Sequence, residues 1–385
     1  MKTLAVLTAI GGLIIGVFVG VHWMAPLLEE GKTSMATGQS ASTGAEDESA
    51  AATKAAAERE PGVKWRMGSA FPSTLAILGT SGKRFEEKIS LVSNGDIQVR
   101  FFEPGALVPA LELFDAVSAG SVEAGWSTAG YWAGKIPAAQ FFTTVPFGPK
   151  LPEFLAWLYY GGGLELWRDL YKPYNVYPIP CFMNAAEGSG WFRKPIETLD
   201  DLKGLKMRFF GLGARVMEKL GVSTQLLAGG DIYPALELGT IDATEFSMPV
   251  IDEELGFQEI AKNYYFPGWH QPDSIGELII NMDRWNALTE HQKALVETTC
   301  GDNVYHEVAE SAASQFGPLK RMQEKGVTLR RWPDSFLEAF LNAWKEVSQE
   351  EAAKDPDFKK VLDSLTEFRK NYAIWRNLSE VPSQF

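Results

Sequence analysis

The sequence predicts an α/β fold of two lobes braced by long helices. Strand-like segments alternate with helical ones from residue 63, and the alternation recurs between residues 206 and 246. From Thr289 onward the texture changes to long amphipathic helical patterns. VKWRMGSAF (Val63–Phe71) alternates as a strand does, and a helix is expected over about Thr74–Leu91. DIQVRFFEP (Asp96–Pro104) gives a second strand and Leu111–Gly120 a second helix. Strands alternating with helices call for a largely parallel sheet. KMRFF (Lys206–Phe210) is then a strand, Gly213–Leu220 a helix and Gln225–Ala228 a strand. Asp231 is placed to cap a short helix ending at Gly239, and Ile241–Phe246 is a short strand. Thr289 heads a helical pattern running to Gly326 and is a suitable cap for it. VTLRRW (Val327–Trp332) is a strand, and Asp334–Asn371 is helical with a break at Asp355–Pro356.

The N-terminus is of another kind. Residues 1–28 read as a signal peptide or an uncleaved membrane anchor. The apolar run Leu4–Trp23 is longer than a usual secretory core, about 7–15 residues, and matches a membrane-spanning helix. Lys2 precedes it and Glu29, Glu30 and Lys32 follow, which favours the body outside. Gly12, Gly16 and Gly20 share one helical face, a pattern for helix pairing, though signal sequences also carry glycine. Residues 29–62, rich in Ala, Ser, Thr and Glu, read as a flexible linker.

Composition excludes several function classes. Among 385 residues, 36 Lys and Arg face 49 Asp and Glu, a net charge of −13, so nucleic acid is not the partner. Only one run is long and apolar enough to span a bilayer, which excludes a polytopic membrane protein. The histidines, His22, His270, His291 and His306, and the cysteines, Cys181 and Cys300, have no zinc-site spacing. Neither cysteine has the surroundings of an activated nucleophile; two buried or unpaired thiols is the expectation, with a disulfide open in an oxidising compartment.

Four segments have chemistry to offer. Arg208 sits on an apolar strand, where burial is costly unless its fork meets an anion such as a carboxylate. An internal salt bridge is the plainer explanation. Glu187 lies among small residues in MNAAEGSGWF, and a solvated loop acid is its plainer explanation. Glu245 ends the strand IDATEF, where α/β folds place ligands; a solvated strand-end acid serves equally. The stretch YYFPGWHQ (264–271) is aromatic and mostly suits a core. Glu187, Glu245, the Gln271 amide and a backbone carbonyl would make an all-oxygen site suited to Na⁺ or Ca²⁺. Sequence spacing alone does not bring them together.

The body resembles the extracytoplasmic solute receptors of TRAP transporters over about residues 63–370. The residues that carry this are VRFFEPGALVPALELFDAVSAGSVEAG, VPFG (145–148), GGGLELWRDLY (161–171), GWFRKPIETLDDLKGLKMRFFG (190–211), LAGGDIYPALELGTIDATEF (227–246) and YYFPGW (264–269). The similarity is greatest to the branch that binds 2-oxo and 2-hydroxy carboxylates with a metal ion. It implies a two-lobed periplasmic-binding-protein (Venus-flytrap) architecture. Lobe I would span 63–186 with part of 277–385, and lobe II 187–276. Residues 277–385 would supply a returning strand and the bracing helices. It implies a periplasmic receptor, not an enzyme, that closes on a small organic acid and delivers it to the TRAP permease membrane subunits.

By the same resemblance, Arg208 holds the solute carboxylate, and Glu245 with the Phe246 carbonyl binds the cation, where the branch usually has tryptophan at 246. The branch has glutamine at the position of Glu187 and glutamate at that of Gln271. The two exchanges cancel in charge, so a cation site with ligand types exchanged between lobes is expected; unrelated substitutions for a different solute are the alternative. Val250 replaces an aromatic residue and alters the pocket. Tyr131, Trp132 and Phe147 are expected in its apolar wall. Some receptors of the branch pair through a long C-terminal helix, which Asp334–Asn371 could supply, though its apolar positions equally suit packing on its own lobes. The apolar run itself leaves tethering by residues 4–23 open. A membrane-anchored ligand sensor and a metal-dependent enzyme with Glu187 as base are the competing functions.

Overall fold

The computed structural model describes residues 62–379; residues 1–61, with the expected signal, tether and most of the linker, lie outside the described residues. Two sheets organise the chain. The first contains β1 (Val63–Ser69), β2 (Ile97–Phe102), β3 (Ala124–Ser127), β4 (Val176–Asn184) and β10 (Ser274–Asn281), in the order β2-β1-β3-β10-β4. The second contains β5 (Gly190–Phe192), β6 (Lys206–Arg208), β7 (Ser223–Gln225), β8 (Ala243–Thr244), β9 (Asn263–Phe266) and β11 (Thr328–Arg331), in the order β11-β9-β5-β8-β6-β7.

Both sheets are mixed where a largely parallel one was expected. β1 pairs in parallel with β2 and β3, but β10 enters antiparallel between β3 and β4. In the second sheet β5 is antiparallel to both its neighbours. The reason is topological: the chain crosses from β4 to the second sheet and returns from β9 into β10. β4 itself escapes sequence reading because Pro178 and Pro180 argue against a strand. They are tolerated because β4 is an edge strand, where a missing N–H leaves no neighbour unsatisfied.

Helix α1 (Thr80–Val92) begins later than expected. The turn through Pro72–Gly79 intervenes, with Ile77 held at φ +62° and Leu75 O accepting from Gly79 and Thr80. Helix α2 (Gly211–Lys219) follows β6. Helix α3 (Gly229–Glu237) starts after Ala228, so Asp231 lies in its first turn instead of capping it. The pattern over 289–326 is two helices, α4 (Glu290–Ala313) and α5 (Phe316–Glu324). Thr289 does cap α4, in a reciprocal box with Gln292.

Helices α6 (Asp334–Lys354) and α7 (Pro356–Ser379) supply the bracing. α6 stacks Phe340 on Trp269 and pairs Glu346 and Glu350 with Lys219 of α2. α7 places Phe358 on Phe141 and Arg369 on Glu153. Cys181 of β4 and Cys300 of α4 form a disulfide, which corrects the expectation of unpaired thiols. The two residues are 119 apart, so sequence gives no local sign of the pairing. Among the described residues no helix is long and apolar enough to cross a membrane.

Candidate functional site

The site forms where the chain passes between the sheets. The link after β4 carries Glu187, and the link after β9 carries Gln271. The two links run side by side, with Glu187 N–H donating to Gln271 O at 3.3 Å. Gly268 permits this approach, since a Cβ there would lie 2.3 Å from Glu187 O. The Gln271 amide Nε2 donates to Glu187 Oε2. Asn184 Nδ2 and Ser247 Oγ each lie 3.4 Å from Glu187 Oε1 and donate to it. The exchanged residues therefore lie side by side on neighbouring crossing segments.

Arg208 ends β6, and Glu245 directly follows β8, the strand paired with it. The pairing sets Glu245 N–H on Arg208 O at 3.2 Å. Both side chains are buried. Arg208 Nη1 donates to Glu245 Oε1 at 2.6 Å and to Glu245 O at 3.0 Å, and Nε donates to Leu227 O at 3.1 Å. The internal salt bridge is thus formed. It uses one side of the guanidinium fork, and among the described residues no carboxylate or carbonyl takes a hydrogen bond from Nη2. Phe210 N–H donates to Glu245 Oε1 at 2.5 Å, and the Phe246 ring lies 5.2 Å from the guanidinium carbon.

Arg208, Glu187, Gln271, Phe246 and Tyr131 line one cavity of about 40 Å³, room for roughly three waters or a solute of a few heavy atoms. Its remaining wall mixes apolar Phe71, Leu78, Phe182, Phe210 and Ile275 with polar Thr128, Thr143, Asn184, Ser247 and Ser274, and Arg208 is the only basic residue among those that line it. Trp132 and Phe147 lie outside this lining. Trp132 packs on Phe114 and donates its indole N–H to buried Glu277 at 2.7 Å. Phe147 stacks on Trp269 behind the site. Glu245 backs the cavity through Arg208 without lining it.

The electrostatics separate the two acids. Burial, with the charges of Glu245 and Asp252 adding to it, pushes the Glu187 carboxyl well above its ordinary value. Burial opposes the Glu245 charge too, but Arg208, His270 and the Phe210 N–H outweigh it and hold its carboxyl below the ordinary value. Burial pushes the Tyr131 phenol up to about 12, so it remains a hydroxyl donor beside Arg208.

Sequence reasoning passed over two residues here. Asp252 accepts from Trp191 Nε1 at 2.8 Å, Tyr264 OH at 2.9 Å and Ser247 N at 3.1 Å, fixing the segment after Glu245. Its signal was only an acid in IDEE. His270, buried between Phe209 and Trp269, has Nε2 at 3.6 Å from Glu245 Oε2. That oxygen and both His270 nitrogens have no hydrogen-bond partner among the described residues. The Glu187 and Glu245 carboxylates and the Gln271 amide are oxygen donors of the kind that Na⁺ and Ca²⁺ take.

Known proteins share this arrangement of chain. A monocarboxylate 2-oxoacid-binding periplasmic protein of Nostoc is 36% identical over 321 residues, 83% of this chain and 88% of that protein. A TRAP transporter solute binding protein from Bordetella bronchiseptica, with calcium and picolinate, is 35% identical at a TM-score of 0.81, covering 83% of this chain and 95% of its own. Another, from Pseudoalteromonas atlantica with sodium and pyruvate, is 33% identical at 0.79, covering 82% and 97%. These relatives are solute-binding receptors and not enzymes. Residues 68–355, from β1 to the end of α6, match the bacterial extracellular solute-binding proteins of family 7, and the chain belongs to that family.

Proposed function

We propose that this receptor captures a short 2-oxo or 2-hydroxy monocarboxylate together with Na⁺ or Ca²⁺. The observation that carries the reading is one small, partly apolar cavity with a single basic residue, Arg208, beside Glu187 and Gln271. Arg208 Nη2 and the Tyr131 hydroxyl donate to the solute carboxylate. Glu245, Glu187, the Gln271 amide oxygen and the Phe246 carbonyl would hold the cation, which supplies a bridge to the solute's carboxylate and vicinal oxygens. Burial and the charges of Glu245 and Asp252 raise the cost of a Glu187 carboxylate, and a cation beside it offsets that cost. The apolar wall accommodates a short aliphatic tail, and one basic residue in the lining disfavours a dicarboxylate.

The receptor then closes between lobes 63–186 and 187–276 and delivers the solute to a TRAP permease from the periplasm. Residues 4–23 would export or tether it. The exposed Ile374, Trp375 and Leu378 near the end of α7 support pairing of two chains through that helix. The test is thermal unfolding with pyruvate, lactate, succinate and gluconate, each with EDTA, Na⁺ or Ca²⁺. Stabilisation by pyruvate or lactate alone, and only with a cation, is expected. Equal stabilisation by succinate or gluconate would refute the solute class.

A further inference from the structure

We propose that Thr128 is a specificity-determining residue whose hydroxyl, oriented by Thr143, donates a hydrogen bond to the C2 oxygen of the bound acid. This rests on the reading that the site takes a 2-oxo or 2-hydroxy monocarboxylate, and concerns which residue recognises the 2-position.

The chain turns directly after β3. Thr128 is extended, at φ −136° and ψ 136°, and Ala129–Trp132 form a 3₁₀ turn in which Tyr131 N–H donates to Thr128 O at 3.1 Å. Side chains at i and i+3 share one side of such a turn, and Thr128 and Tyr131 both line the cavity. Gly130 lets the turn lie against the Phe210 ring, where a Cβ would come within 2.2 Å of it.

Thr128 Oγ1 and Thr143 Oγ1 are 2.8 Å apart, both side chains are buried, and Gly130 N–H donates to Thr143 Oγ1 at 2.9 Å. The two hydroxyls carry two hydrogens, and one is spent between them. The other has no acceptor among the described residues, whichever hydroxyl donates. If Thr143 donates to Thr128, each hydroxyl oxygen takes one donor and the bonds run as a chain, each polarising the next. The reverse order would put two donors on Thr143 and none on Thr128. The spare hydrogen therefore belongs to Thr128, the less deeply buried of the two and a member of the cavity lining.

The solute supplies the missing acceptor. In the proposed binding mode its carboxylate meets Arg208, Tyr131 and the cation, whereas its C2 oxygen meets the cation alone and keeps a lone pair. A 2-oxo and a 2-hydroxy acid both offer that lone pair. An acid with an unsubstituted C2 leaves the Thr128 hydrogen without an acceptor, which a buried donor resists. A competing account makes the threonine pair a brace for the turn alone.

The experiment compares Thr128→Val and Thr128→Ser with the unchanged protein. Pyruvate is titrated calorimetrically in Ca²⁺, propionate is measured by its displacement of pyruvate, and urea denaturation is run without solute. Valine keeps the shape of threonine, and one hydroxyl hydrogen stays spare either way, now that of Thr143, so the urea midpoint should not move. Pyruvate affinity should fall about tenfold or more in Thr128→Val and stay within about threefold in Thr128→Ser, with propionate changed less than about threefold in either. Undiminished pyruvate binding in Thr128→Val, an equal loss for propionate, or no recovery in Thr128→Ser would overturn the inference and leave the cation-bridged receptor standing. A loss of pyruvate binding matched by a lower urea midpoint would overturn it in favour of the brace. No pyruvate binding by the unchanged protein in Ca²⁺ would overturn the receptor reading and this inference with it.

Discussion

Replacing Arg208 with methionine separates its two duties. The guanidinium is buried and makes three hydrogen bonds to the protein, two of them to Glu245. Removing it strands a buried carboxylate that retains the Phe210 N–H and a histidine 3.6 Å away. Breaking a buried pair by deleting one partner costs about 3–5 kcal/mol. For a body of this size about 2 °C accompanies each kcal/mol, so the melting temperature should fall by about 6–10 °C. Most of that loss is the unpaired charge, so Arg208→Met with Glu245→Gln should recover about 1–2 kcal/mol relative to Arg208→Met alone. Urea denaturation of the unchanged protein and the two variants measures the stability, and calorimetric titration with pyruvate the binding. Both variants should bind pyruvate far more weakly, because Nη2 is absent. A loss below about 1 kcal/mol, or a double variant less stable than Arg208→Met, would refute the internal-pair reasoning. Undiminished pyruvate binding would refute the assignment of Nη2 to the solute.

Further outcomes follow from the same contacts. Glu187→Gln should weaken divalent-cation binding by about 10–100-fold, and Glu187→Gln with Gln271→Glu should restore most of it, because the crossing segments place both side chains at one point; dialysis with Ca²⁺ checks this. Burial pushes the Glu277 carboxyl up to about 8. A carboxyl that binds its proton more tightly when folded loses stability as pH rises from its ordinary value toward the folded one. Urea midpoints should therefore fall from pH 5 to pH 8, and Glu277→Gln should remove part of that fall, on the order of 4 kcal/mol at most. Changing both Cys181 and Cys300 to alanine opens a 119-residue separation and should cost about 2–5 kcal/mol in urea denaturation.

The sequence made legible those elements whose local pattern and tertiary setting agree. β1, β2, β6 and the Thr289 cap follow from periodicity and capping chemistry read a few residues at a time. β4 did not, because its prolines argue against a strand unless its edge position is known. Asp231 was misplaced because the backbone entered α3 at Gly229, ahead of the better capping side chain. Within the site, Arg208 and Glu245 could be suspected from their strands. Their mutual pairing, and the meeting of Glu187 with Gln271 84 residues later, depend on two crossings between sheets that no local pattern encodes. His270 was hidden in an aromatic run that reads as core, and it is indeed packed as core on two of its sides.

The central claim is that a cation and a small carboxylate bind as a unit. Calorimetric titration of pyruvate into the purified protein, in sodium-free buffer with EDTA as its potassium salt and then with Ca²⁺ or Na⁺ restored, tests it most directly. The account predicts saturable binding with Ca²⁺ or Na⁺ and at least a tenfold weaker association in sodium-free EDTA, a difference of about 1.4 kcal/mol or more. The same affinity with and without the cation would contradict it.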